Sequence, residues 1–100
     1  MIFIWRNKEY LSMARGKPCV RCGVADGTVV ACHYSGKFSD QLGKGKGIKA
    51  SDIAVAFLCS ECHNYFDSYE NNNDYERAAE FMVLCFKTIS MLLDTGEIRI

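Results

Sequence analysis

Two Cys-x-x-Cys pairs constrain this chain more than any other feature: Cys19-Val20-Arg21-Cys22 and Cys59-Ser60-Glu61-Cys62, with 36 residues between them. A gap of two residues lets both thiolates of a pair turn toward one tetrahedral ion at about 2.3 Å. Two such pairs on one chain therefore read as a four-cysteine structural zinc site made by Cys19, Cys22, Cys59 and Cys62. A disulfide framework needs an oxidising compartment, and no export signal is evident. A thioredoxin-like redox motif needs one pair rather than two. Pro18 stiffens the approach to the first pair and Gly23 follows its second thiolate, as in a tight ligand-bearing turn. In a chain of 100 residues the expected core is modest. Structural zinc, at about 10 kcal/mol or more of binding free energy, then carries much of the folding.

Length allows one small domain, residues 1–100, and no second one for a cofactor. A hydrophobic fraction of 49% with 24% charged residues is that of a folded chain. The longest apolar runs, Ile53–Leu58 and Phe81–Phe86, fall far short of the roughly 20 residues that cross a bilayer. Met1–Trp5 is apolar, but Arg6 and Lys8 follow it rather than precede it, so it does not read as a secretory leader. The expected location is the cytoplasm. Net charge is zero, yet it is unevenly spread. Residues 1–49 hold nine bases against three acids, and residues 50–100 hold three bases against nine acids. Such asymmetry suits either one polyanion-facing side or two faces that attract each other within the fold.

Around the cysteines the pattern predicts a short helix over Asn7–Arg15, with Met1–Trp5 as an extra strand or a loose tail. Asp26-Gly27 reads as a hairpin-type turn, and Thr28–Tyr34 as a strand ending near His33. Between Ser35 and Ser51 lie four glycines and four lysines, a flexible basic segment. Its Lys37, Lys44, Lys46 and Lys49 either follow a phosphate backbone or simply solvate a linker. Ile53–Leu58 is a second strand, which delivers Cys59 and Cys62 to the start of a helix running to about Glu70. On that helix His63 and Asp67 stand four residues apart and share one face. Asn71-Asn72-Asn73 breaks the chain, and Asn73 with Glu76 suits the cap of a longer helix over 74–94. Its apolar stripe is Tyr75, Ala78, Ala79, Met82, Cys85, Phe86, Ile89, Leu92 and Leu93. Gly96 ends this helix, and Glu97–Ile100 alternates like an edge strand. Trp5, Tyr34, Phe38, Tyr65 and Tyr69 are suited to base stacking, although packing is the commoner fate of such rings.

A zinc knuckle, a strand ending in histidine, a second strand and Cys-x-x-Cys-His opening a helix resemble the HNH or ββα-metal nuclease fold, a treble-clef relative. The resemblance covers about residues 15–70. More narrowly, Ala14-Arg15-Gly16, Ala31-Cys32-His33, Lys49-Ala50-Ser51-Asp52 and Leu58-Cys59-Ser60-Glu61-Cys62-His63 with Asp67 resemble the small phage and prophage nuclease family that includes the YbcO-like proteins. Cys-x-x-Cys-His alone would also suit covalent haem, but haem attachment needs an exported chain and leaves Cys19 and Cys22 unexplained.

The resemblance implies a zinc-stabilised α+β domain with a β-hairpin, a short helix after the second cysteine pair and a longer C-terminal helix. It implies a DNA endonuclease of phage or prophage origin, in which His33 is the general base. Asp52 orients that ring or ligates an ion. His63 and Asp67 hold a catalytic magnesium or manganese, distinct from the structural zinc. Many relatives carry an aspartate or histidine just before the base, where this chain has Cys32, a soft ligand for magnesium. Three outcomes stay open there: His33 ligates, Asp52 ligates, or the site is a binding surface. Cys32 and Cys85 read most simply as small buried apolar residues. The alternative from another class is a non-catalytic treble-clef module that binds nucleic acid or protein through the basic half.

Overall fold

A computed structural model describes residues 1–68 and 74–99. Its elements are α1 (Lys8–Ser12), β1 (Val30–His33), β2 (Val55–Leu58), α2 (Ser60–Asp67) and α3 (Tyr75–Asp94), with a single 3-10 turn at Ser39–Leu42. The chain is thus a small α+β protein around one two-stranded antiparallel sheet. Among the described residues no helix is long and apolar enough to cross a membrane.

The sheet pairs Val30 with Leu58, Ala31 with Phe57, Cys32 with Ala56 and His33 with Val55. Every residue of β2 is buried, so the strand reads as a continuous apolar run rather than an alternation. Two strands alone are marginal in water, and the free edge of β2 needs partners. Phe57 finds both of its own: its N–H donates to Thr88 Oγ1 of α3 at 3.2 Å, and its C=O accepts from Val20 N–H of the knuckle at 2.9 Å. Thr88 in turn donates to Leu84 C=O at 2.9 Å. The strand is therefore held between β1, the first cysteine pair and the long helix.

That polar contact explains why the buried stripe of α3 differs from the one expected. The buried positions are Ala78, Phe81, Leu84, Cys85, Thr88 and Leu92. Tyr75, Ala79, Phe86 and Leu93 instead face solvent, with Phe86 69% exposed. A stripe chosen by apolarity alone omits Thr88, which is completely buried because β2 needs its hydroxyl. Asp74 rather than Asn73 caps α3, accepting from Glu76 N–H at 2.7 Å; Asn71, Asn72 and Asn73 lie outside the described residues. At the other end Gly96 takes φ +78, its N–H donates to Leu93 C=O, and Glu97 N–H donates to Leu92 C=O at 2.9 Å. This closing turn uses the backbone groups that the expected edge strand over 97–100 needs. Ile98 packs on the core instead, and Ile100 lies outside the described residues.

Other expectations shift for similar local reasons. The predicted Asn7–Arg15 helix shortens to α1, which Asn7 caps by accepting from Tyr10 N–H at 2.8 Å. Met1–Trp5 forms no strand, but Trp5 pairs its backbone with residues 51–52: its N–H donates to Ser51 Oγ and its C=O accepts from Asp52 N–H at 2.8 Å. The turn at Asp26-Gly27 is present, with Asp26 accepting from Thr28 N–H and Oγ1, but it does not join two paired strands. The glycine-lysine segment, expected to be flexible, carries backbone pairings of its own. Gly45 and Ile48 exchange two backbone hydrogen bonds of 3.0 Å, and Ser51 N–H donates to Leu42 C=O at 2.8 Å. Helix α2 stops at Asp67, where Ser68 turns extended, rather than continuing to Glu70.

Candidate metal centre and histidine cleft

The knuckle and the β2–α2 junction bring four sulfurs together. Cys19 N–H donates to Val24 C=O and Gly23 N–H to Cys19 C=O, both at 2.8 Å, and Gly23 at φ +83 lets the chain fold back between them. On the other side Cys59 is the N-cap of α2 and Cys62 lies in its first turn. All four Sγ atoms lie within 4.8 Å of one another, and Cys22 and Cys59 are 3.7 Å apart. A tetrahedron of zinc–sulfur bonds has edges of about 3.8 Å, so this cluster could hold a metal such as zinc. Cys19, Cys59 and Cys62 are buried and Cys22 is exposed.

Four neighbouring thiols cannot all ionise without a cation, and these divide accordingly. Burial opposes the ionisation of Cys19, but the backbone amides of Cys22, Cys59 and Arg21 outweigh it and bring the thiol down to about 6. Burial pushes Cys62 up to about 12, against a hydrogen bond from Arg21. That arginine donates from Nη1 to Cys62 Sγ at 3.6 Å and from Nε to Glu80 Oε2 at 2.9 Å, tying the sulfur cluster to α3. Arg21→Gln is expected to weaken zinc retention about 10- to 100-fold, the usual effect of removing a group that supports a metal ligand. Competition against a chromogenic chelator measures it. Cys32 and Cys85 stand apart from the cluster, and burial raises each to about 12, so they pack as neutral thiols.

The second site starts at the end of β1. His33 Nε2 lies 2.7 Å from Asp52 Oδ1. Asp52 is only 3% exposed and is held from two further directions: Asn7 N–H donates to Oδ2 at 2.7 Å and Arg6 Nη1 to Oδ1 at 3.2 Å. Burial alone raises a carboxyl's pKa, but His33, the Asn7 amide and Arg6 together hold this one below its ordinary range. Arg6 also donates to the carbonyls of Lys49 and Ala50, which fixes the approach to Asp52.

On α2, His63 Nε2 and Asp67 Oδ2 are 3.0 Å apart, one turn after the last cysteine. His33, His63 and Asp67 line one cleft with Cys32, Phe66 and Arg77. Asp52 lies beyond His33, in a neighbouring groove with Arg6, Lys8 and Lys49. The histidines and carboxylates thus form two pairs rather than one closed set, with His33, His63 and Asp67 on the cleft and Asp52 behind His33. Among the described residues only the four cysteines gather three or more ligand atoms.

The four lysines divide. Lys46 and Lys49 are exposed, Lys44 is half-buried, and Lys37 sits with Nζ 5.0 Å from the Tyr75 ring centre. Of the rings suited to stacking, Tyr34 is buried, Trp5 packs edge-on against Tyr10 at 5.1 Å, and Tyr69 lies outside the described residues. Arg6, Lys8 and Arg77 line these openings without having been singled out from the sequence. Arg6 and Lys8 belong to the basic half but sit some forty residues from Lys49, and Arg77 is an isolated base in the acidic half. Comparison with protein-family models, curated proteins and solved structures finds no match to this chain.

Proposed function

We propose that this chain is a metal-dependent endonuclease of HNH type, cleaving phosphodiester bonds in DNA from a treble-clef-like scaffold with a structural zinc held by four cysteines. The observation that carries the reading is the cleft in which His33, braced by a buried carboxylate, faces His63 and Asp67. With Asp52 accepting from Nε2–H, the lone pair of His33 is on Nδ1, the tautomer a general base requires to take a proton from water. His63 Nε2 and Asp67 Oδ2, 3.0 Å apart, can meet one ion. Magnesium or manganese commonly binds through few protein ligands and completes its shell with water and phosphate oxygens. Such an ion supplies charge neutralisation at the scissile phosphate. Lys49, Lys8 and Arg6 beside His33 offer contacts for the flanking backbone.

Supercoiled plasmid incubated with the zinc-loaded protein and magnesium or manganese tests the reading. Nicking is expected, and His33→Ala is expected to reduce it by about 10²- to 10⁴-fold with the fold and zinc content retained. Plasmid that stays supercoiled with every divalent ion sinks it. The basic groove of Arg6, Lys8 and Lys49 favours one second reading, a non-catalytic module that grips nucleic acid. Binding without nicking would select it.

A further inference from the structure

The cleft has one wall that the resemblance does not cover. Arg77 lies in the first turn of α3, outside the residues 15–70 that carry the likeness, and lines the cleft together with His33, His63 and Asp67. Its guanidinium stacks on Tyr65, with Cζ 4.1 Å from the ring centre. Arg21 covers the same ring at 3.9 Å. The two cations differ in how they are neutralised. Arg21 is paired with Glu80 at 2.9 Å, whereas no acid among the described residues lies within 4.0 Å of an Arg77 nitrogen. Asp67 opens to the same cleft but is engaged with His63. Arg77 Nε is buried without a hydrogen-bond partner among the described residues.

An unpaired guanidinium is also out of place at this end of a helix. The first turn of α3 carries the positive end of the helix dipole, which disfavours a cation there and favours an anion. Lys37, over the Tyr75 ring, adds a second positive charge at the same end. Stacking keeps the guanidinium plane fixed, so an oxyanion that enters the cleft meets a charge already positioned.

We infer that Arg77 is a phosphate-binding residue, holding a nonbridging oxygen of the phosphodiester in the cleft that His33 also lines. The substrate side of this inference rests on the endonuclease reading; the anion site itself does not. Two measurements separate them. In the zinc-loaded full chain, nitrogen-15 NMR follows the arginine Nε–H groups while inorganic phosphate is added. The Arg77 resonance is expected to shift and saturate, while that of Arg21, already bonded to Glu80, stays in place. Equal drift of both, or no shift at Arg77, overturns the site.

In plasmid nicking, Arg77→Gln is expected to raise KM and lower kcat by about tenfold each, and Arg77→Lys to recover part of the loss. Nicking with unchanged constants in Arg77→Gln overturns the inference and leaves the endonuclease standing. A saturating Arg77 shift in a protein that never nicks DNA supports the anion site and overturns the endonuclease.

Discussion

Removing the metal from the zinc-loaded protein with a strong chelator is expected to abolish cooperative unfolding. The reason lies in how little else joins the parts. The sheet has two strands of four residues each, and isolated strand pairs of that size are marginal. The polar ties of the knuckle to the rest include Val20 N–H on Phe57 C=O, Arg21 on Glu80 of α3 and Lys17 on Glu97. Four zinc–thiolate bonds would span those segments, and structural zinc contributes about 10 kcal/mol or more, comparable to the whole stability of a domain this size. Circular dichroism should lose the signal of α2 and much of α3, and equimolar zinc should restore it. Cys59→Ser, which removes a buried ligand at the start of α2, should reproduce the loss without chelator. Zinc affinity should also fall as pH falls. Binding needs four thiolates; backbone amides bring Cys19 down to about 6, whereas burial opposes the ionisation of Cys62. Acid therefore competes most strongly through thiols such as Cys62, whose burial holds it at about 12. A metal-free chain with an unchanged spectrum and transition would overturn the structural role of the cluster.

What the sequence made legible, and what it left hidden, follows from the range of the forces involved. The cysteine pairs were readable because ligand spacing is a local property of a few bonds, and the structure gathers those four sulfurs within 4.8 Å. The β2 run was readable because full burial on both faces leaves only apolar residues. The stripe of α3 was misplaced because its decisive residue is polar: Thr88 is buried to satisfy one amide of β2, a need that periodicity does not register. The glycine-lysine segment looked flexible by composition, yet its backbone closes on itself at Gly45–Ile48 and Leu42–Ser51. Composition reports chain entropy, whereas order there comes from pairings that only the folded path brings into reach. Arg77 was hidden for the same reason, since nothing near it in sequence points to His33, 44 residues earlier.

Asp52 carries the second large expectation, because it joins the stability of the N-terminal segment to the chemistry proposed for His33. Asp52→Ala removes one buried acceptor and strands three donors: the His33 ring, the Asn7 amide and Arg6. Arg6 is 44% exposed and can rehydrate, so the loss falls mainly on His33 and Asn7. A cost of about 2–4 kcal/mol is expected, read from urea midpoints, with α1 and Trp5 released first because both are anchored at this carboxylate and its backbone. Asp52→Asn keeps an acceptor and the shape but loses the charge, so its cost should be about 1–2 kcal/mol. The pH dependence separates charge from shape. The Asp52 carboxyl is held below its ordinary range in the fold, so the unfolded chain binds its proton first as pH falls. The stabilisation is complete above the unfolded value, near pH ~4, and is lost as pH drops through the lower folded value. Wild type should lose stability across that window, and Asp52→Asn should show a flatter acid limb there. Because the asparagine no longer selects the Nε2–H tautomer of His33 with a full charge, the plasmid nicking proposed for this protein should fall by about 10²-fold or more in a variant that still folds and still holds zinc. Equal acid limbs would remove Asp52 from the stability argument, and undiminished nicking would remove it from the positioning of His33.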